Sequence, residues 1–139
     1  MSKGILLFCF DTEHTRYHNI LEKCVALIRK NLKLEITVVT NFETFVKMKP
    51  MGFINYKFIK HTKGNTKLGK EWNNVDRHMA YELSPYDTTL VMDIDYFPFT
   101  DNLLQMMETK YDFLISKEAH DLSGRNTFDM RRWSMIDMV

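Results

Sequence analysis

Residues 5–40 read ILLFCFDTEHTRYHNILEKCVALIRKNLKLEITVVT, and this stretch decides the fold because it predicts a strand, a helix and a second strand. Residues 5–10 are a short apolar run closed by Asp11, which is typical of a strand buried on both faces. Residues 14–30 repeat apolar side chains at three- and four-residue spacing, which predicts an amphipathic helix. Residues 34–40 are rich in β-branched side chains and indicate a strand. Because parallel neighbours need a crossover helix, this order predicts a parallel α/β sheet.

The rest of the chain continues the alternation of helices and strands. Capping and turn-forming residues give the boundaries. The later predicted elements are a short helix capped by Asn41 and running to Met48, a strand at 54–59, a basic loop at 60–70, a helix capped by Asn73 or Asn74 and ended by the turn at 84–87, a strand at 88–93, a helical turn capped by Thr100, and a strand at 111–115. We therefore expect one α/β domain over residues 1–139, with a mostly parallel central sheet flanked by helices.

Composition excludes several classes of partner. Lysine and arginine together number 19 and aspartate and glutamate 18, so the net charge is +1 and no nucleic-acid partner is expected.

Cys9 and Cys24 lie in apolar segments without metal-ligand spacing, which predicts that both are core residues. The sequence lacks a signal-peptide pattern and an apolar run long enough to span a membrane. It therefore predicts a cytoplasmic protein, in the host cytoplasm if the protein is viral.

Two aspartates follow the fourth predicted strand of the main sheet, in the run Thr89-Leu90-Val91-Met92-Asp93-Ile94-Asp95-Tyr96. If the chain stays extended, Asp93 and Asp95 point to the same side. Their mutual repulsion is relieved by a divalent cation that is shared with substrate phosphates. Ligands of open α/β sheets bind beyond the carboxyl ends of the strands, where we expect this pair to lie. The alternative is that the aspartates only end the strand and begin a turn.

The segment around this pair, from Tyr86-Asp87 to Asp101-Asn102-Leu103, resembles the corresponding part of GT-A glycosyltransferases. It looks closest to glycogenin-like enzymes and to glycosyltransferase-like proteins of tailed phages. The resemblance implies a Rossmann-like GT-A fold and metal-dependent transfer of a sugar from a nucleotide-diphosphate donor, commonly a UDP-sugar, to an acceptor that the sequence does not name. It also implies Mn²⁺ or Mg²⁺ as the cofactor, with Asp95 as a direct ligand and Asp93 on the metal or the donor ribose.

The same resemblance implies which other residues bind the donor. Lys70 and Arg77 are expected to approach the diphosphate, for which a cation has a plain physical role; a solvated surface charge is the alternative for both. The full set of implied donor-binding residues is Phe10, Asp11, Thr12, Tyr17, Lys70, Arg77, Asp93 and Ile94. Related enzymes are longer and take a third metal ligand near their C-terminus, so we expect an incomplete acceptor half. Late candidates for that ligand are His120, Asp121, Asp129 and Asp137, and Asp129 is also the candidate catalytic base.

Three other interpretations stay open. The run from Phe10 to Thr15 resembles the first Asp-x-Glu motif of proofreading-type exonucleases, which use two metals to cleave phosphodiesters. That fold continues as a hairpin, whereas an amphipathic helix is predicted here. Haloacid-dehalogenase-type phosphatases also carry Asp-x-Asp after a strand, but they have threonine or valine soon after it, where this chain has Tyr96-Phe97-Pro98. The remaining interpretation is a domain that binds a nucleotide sugar or a partner chain without turnover.

Overall fold

The structure is a computed structural model that describes residues 1–60, 66–67, 70–71 and 75–110. The chain divides into two compact units, Met1–Glu108 and Thr109–Val139, and every element described below belongs to the first. The prediction of one domain over 1–139 therefore stays a prediction. Several predicted features lie outside the described residues: the caps Asn73 and Asn74, the strand at 111–115, and the late candidates His120, Asp121, Asp129 and Asp137.

Four parallel strands form the main sheet, and two short strands form a separate antiparallel pair. In chain order the strands are β1 (Lys3–Cys9), β2 (Glu35–Thr40), β3 (Asn55–Phe58), β4 (Thr66–Lys67), β5 (Lys70–Glu71) and β6 (Thr88–Met92). The main sheet has the order β3-β2-β1-β6, and β4 pairs with β5. In the centre of the sheet Leu7 lies opposite Val38 of β2 and Met92 of β6. The predicted α/β class with a parallel sheet is confirmed.

The helices are α1 (Tyr17–Asn31), α2 (Phe42–Phe45) and α3 (Ala80–Leu83), with 3-10 helices at Val75–Met79 and Asn102–Glu108. Helix α1 begins later than predicted, because the Thr12 hydroxyl accepts hydrogen bonds from two following amides and holds the chain in a turn. The predicted cap of α2 is confirmed, since Asn41 Oδ1 accepts from the amide of Thr44 at 2.9 Å. The predicted helix before β6 is 3-10 in its first part and α-helical in its second, and it ends at Leu83, before Pro85.

Strand β1 is buried on both faces, as its apolar run predicts. Successive side chains alternate between the faces, so Leu7 and Leu6 point to opposite sides, and both are fully buried. The face that carries Leu7 packs against α1, whose buried residues include Leu21, Cys24, Val25 and Ile28. The face that carries Leu6 packs against Ala80 and Leu83 of α3. The helices of the described chain are too short or too polar to cross a lipid bilayer.

Candidate functional site

A cleft opens at the carboxyl edge of the sheet, between the ends of β1 and β6. From β1 the chain continues to β2 and β3 on one side of the strand, and it later returns to form β6 on the other side. The position between β1 and β6 is therefore the switch point of the sheet, where ligands of open α/β sheets bind. The cleft has a volume of about 150 Å³. Its lining residues are Phe8, Phe10, Tyr17, Asp76, Arg77, Asp93, Ile94 and Asp95. The structure thus brings together six residues singled out from the sequence: Phe10, Tyr17, Arg77, Asp93, Ile94 and Asp95.

The two aspartates reach this cleft from a turn and not from an extended strand. Strand β6 ends at Met92, and the amide of Tyr96 donates a hydrogen bond to the carbonyl of Asp93 at 3.1 Å. The condition that the chain stays extended through the pair is therefore not met. Ile94 is buried in the core between Asp93 and Asp95, which are exposed. The buried side chain of Ile94 fixes the middle of the turn, and both carboxylates lie at the cleft.

Arg77 forms a salt bridge with Asp93 inside the cleft. The side chain of Arg77 is 31% exposed and that of Asp93 is 50% exposed, so solvent screens the pair and it contributes on the order of 0–1 kcal/mol. The Nε atom of Arg77 is buried and makes no hydrogen bond within the described part of the chain. Arg77 is therefore a partly exposed cleft residue whose charge is paired with Asp93.

Asp76 lines the same cleft, and the sequence analysis missed it. It is only 3% exposed, although it lies next to the more accessible Arg77. The sequence predicts a helix for this segment, and the 3-10 helix that forms there turns its side chains at a different period from an α-helix. The one feature of the sequence that could have pointed to Asp76 is its position next to Arg77, a candidate donor-binding residue. Asp93 and Asp95 place two carboxylates beside the guanidinium of Arg77 in the cleft, which disfavours an anion unless a cation accompanies it.

The oxygen ligands in the cleft fit a cation that binds together with a phosphate group. Among the described residues, His, Cys, Asp and Glu side chains do not gather in a group of three or more that could hold a metal ion. Asp93 and Asp95 nevertheless supply hard oxygen ligands on one cleft, and Mg²⁺ is commonly bound by one or two carboxylates together with substrate phosphates. The pair suits shared coordination better than a cation held by the protein alone.

Asp11 caps helix α1 and does not line the cleft. Its Oδ1 accepts from the backbone amide of His18 at 3.0 Å, and its Oδ2 lies 2.6 Å from Nδ1 of the same histidine. The residue before α1, Arg16, gives the helix no side-chain cap, so Asp11 supplies the missing acceptor. The Asp11 amide donates to Thr44 Oγ1 at 2.9 Å, which ties the end of β1 to α2.

The loop from Asp11 to Arg16 therefore acts mainly as a support. Thr12 accepts hydrogen bonds from the amides that follow it, and neither Asp11 nor Thr12 is among the lining residues of the cleft. Phe10 and Tyr17, which flank this loop, do line the cleft. These two aromatic residues face the cleft, and the hydrogen bonds between Asp11 and His18 hold the loop that connects them.

Both cysteines are buried, as predicted. Burial raises the pKa of Cys24 to about 11, and the negative charge of Asp95 makes a smaller contribution in the same direction. The Cys24 thiol donates a hydrogen bond to the carbonyl of Tyr96 at 3.5 Å. Burial, and in second place Asp11, raises the pKa of Cys9 to about 12. Both thiols are therefore protonated at neutral pH, and neither is available as a nucleophile or metal ligand.

Five of the sequence-based site candidates lie beyond what the structure describes at side-chain level: Lys70, His120, Asp121, Asp129 and Asp137. Lys70 belongs to β5, of which the backbone alone is described, and the other four are outside the described residues. Comparisons of the chain with known protein families, with curated proteins and with solved structures give no match.

Proposed function

We propose that the protein is a metal-dependent glycosyltransferase of the GT-A kind that uses a nucleotide-diphosphate sugar as its donor. One observation carries the proposal: Asp93, Asp95 and Arg77 line a single cleft at the carboxyl edge of a parallel sheet, at its switch point. The negative charge of a diphosphate has to be balanced by positive charge. The carboxylates of the cleft would repel a diphosphate unless a divalent cation neutralises them. The resemblance of the segment around Asp93 to GT-A enzymes supports the same reading and favours a uridine donor.

Each group in the cleft has a distinct part in this proposal. Asp93 and Asp95 would hold Mn²⁺ or Mg²⁺, which when bound supplies electrostatic stabilisation of the charge on the departing diphosphate. Arg77 offers a planar fork of N–H donors to phosphate oxygens. Tyr17, which is partly buried, gives a flat apolar surface of the kind that a nucleobase stacks on, and the largely buried Phe10 forms part of the cleft wall. The cleft is smaller than the roughly 300 Å³ of small ligand sites, so it suits the diphosphate and leaves the rest of the donor at its opening.

The geometry disfavours the exonuclease alternative. That mechanism needs Asp11 as a metal ligand, and both of its carboxylate oxygens are engaged by His18. Strand β1 is also followed by a crossover helix and a parallel neighbour, where the exonuclease fold has a hairpin. Release of mononucleotides from single-stranded DNA, lost in Asp11→Ala, would reverse this ranking.

A domain that binds the donor without turnover would use the same cleft. Formation of product separates it from an enzyme, because a binding domain retains the donor and leaves it intact. Incubation of the protein with UDP-sugars and Mn²⁺, with water as the acceptor of the sugar, followed by chromatography of the released UDP, measures this difference. Released UDP that depends on Asp95 supports the enzyme, and tight binding without release supports the binding domain.

Calorimetric titration with UDP tests the proposed metal role. We expect binding that requires Mn²⁺ and is lost in Asp95→Asn, because that variant removes a charged oxygen ligand. Asp101→Asn is the matched control, since Asp101 is exposed and outside the lining of the cleft. Equal affinity in the presence of a chelator would reject the metal role. A panel of ribonucleoside diphosphates in the same assay identifies the base.

A further inference from the structure

We infer that Arg77 is an exchangeable counter-ion, which pairs with Asp93 in the ligand-free protein and leaves it when a cation and a diphosphate bind together. The inference rests on the proposed function and adds to it the coupling between metal and nucleotide. Its starting point is the salt bridge between Arg77 and Asp93 in the cleft, where the carboxylate assigned to the metal already has a positive partner.

The pair is weak enough to exchange. Half of the Asp93 side chain and about a third of that of Arg77 are exposed, so water can solvate both charges after they separate. Exposed ion pairs favour the closed arrangement by no more than about fivefold. A divalent cation held by Asp93 together with a diphosphate would carry twice the charge of a guanidinium. The salt bridge is therefore a small barrier to the complete ligand.

Arg77 also has unused hydrogen-bonding capacity. A guanidinium carries five N–H donors, and its Nε is buried without a hydrogen bond within the described part of the chain. Diphosphate oxygens accept such donors in pairs, with shorter and stronger bonds than neutral groups make. Movement of Arg77 from Asp93 to a diphosphate would therefore replace one partly screened contact with several charge-assisted ones.

A cation alone meets a different situation. It has to compete with the guanidinium for Asp93 and remain near that positive charge, because the free protein offers Arg77 no phosphate to bind. The wild-type protein should therefore bind Mn²⁺ weakly without nucleotide, and Mn²⁺ and UDP should strengthen each other's binding by the same factor. Removal of the charge of Arg77 should improve binding of Mn²⁺ alone and weaken its coupling to UDP.

Manganese binding, measured from the electron paramagnetic resonance signal of free Mn²⁺, tests this inference independently of activity. The proteins are wild type, Arg77→Gln, Arg77→Lys and the control Arg16→Gln, which removes one charge at an exposed position outside the cleft lining. Without UDP we expect Arg77→Gln to bind Mn²⁺ about two- to fivefold more tightly than wild type. Arg77→Lys keeps the charge and should resemble wild type. With UDP, the gain in Mn²⁺ affinity should be smaller in Arg77→Gln than in wild type.

The possible failures are distinct. If wild type binds Mn²⁺ and UDP together but Arg77→Gln binds Mn²⁺ alone no more tightly, the counter-ion role is wrong and the proposed function stands. If wild type binds no Mn²⁺ even with UDP, both are wrong. An equal increase in Arg16→Gln would assign the effect to net charge and overturn the specific role of Arg77. Thermal melting checks folding, and Arg77→Met provides the neutral variant if Arg77→Gln does not fold.

Discussion

The ring of Tyr86 lies over Gly4, so close that a Cβ atom on residue 4 would collide with the ring carbons. The Tyr86 hydroxyl is 2.8 Å from Thr37 Oγ1, on the strand beyond β1. Tyr86 therefore crosses the central strand from the segment before β6 to β2. Tyr86 crosses β1 at Gly4, because a side chain at that position would occupy the space of the ring.

Gly4→Ala should lower the free energy of unfolding by about 1–3 kcal/mol, because the added methyl group overpacks against the ring of Tyr86. Urea denaturation measures the change. In a Tyr86→Ala background the same substitution should cost little or be stabilising, since alanine is favoured over glycine in a strand interior. An equal cost in both backgrounds would contradict the steric explanation.

Asp11→Ala should destabilise the fold by about 1–2 kcal/mol, because helix α1 loses the acceptor for the His18 amide. Urea denaturation measures this loss, with the exposed Glu13→Ala as the matched control. UDP affinity in the presence of Mn²⁺, measured on the folded variant, should stay close to that of wild type. An affinity loss as large as that of Asp95→Asn would instead mean that Asp11 contacts the donor, as the family resemblance implies.

Asp87 gives the stability of the fold an acid-dependent contribution. The backbone amide of Ser2 donates to its carboxylate at 2.8 Å and the Ser2 hydroxyl does so at 2.9 Å, and these bonds lower the pKa of Asp87. A depressed folded-state pKa means that the contribution is present above the unfolded pKa, about 3.9, and is lost as pH falls through the folded pKa. The stability difference between wild type and Asp87→Asn, from urea midpoints, should therefore shrink below about pH 4. A difference that is constant with pH would contradict this linkage.

Cys9 should make the fold sensitive to alkali. Its folded pKa of about 12 lies above the value near 8.5 of an unfolded thiol, so its contribution is complete below about pH 8.5 and is lost as pH rises toward the folded pKa. Urea midpoints of wild type should fall over this range more than those of Cys9→Ala. Below it, an alkylating reagent should modify Cys9 and Cys24 only after unfolding. Rapid labelling of the native protein would contradict their burial.

The sequence predicts the sheet better than it predicts the site. Strand β1 could be identified because its apolar run has to be buried on both faces, and the end of β6 could be identified from the carboxylates after Met92. Asp76 could not, because the change from α-helical to 3-10 geometry alters which side chains face inward. The pairing of Arg77 with Asp93 depends on two segments meeting in space, which local patterns do not report.

The central position of β1 also makes the chain intolerant of errors in strand alignment during folding. Its side chains alternate between two fully covered faces, so a shift by one residue would exchange all of them at once. In one direction of this shift Ile5 would lie under the ring of Tyr86, where even a methyl group does not fit. A single residue without a side chain thus admits the correct alignment and rejects one of its nearest competitors.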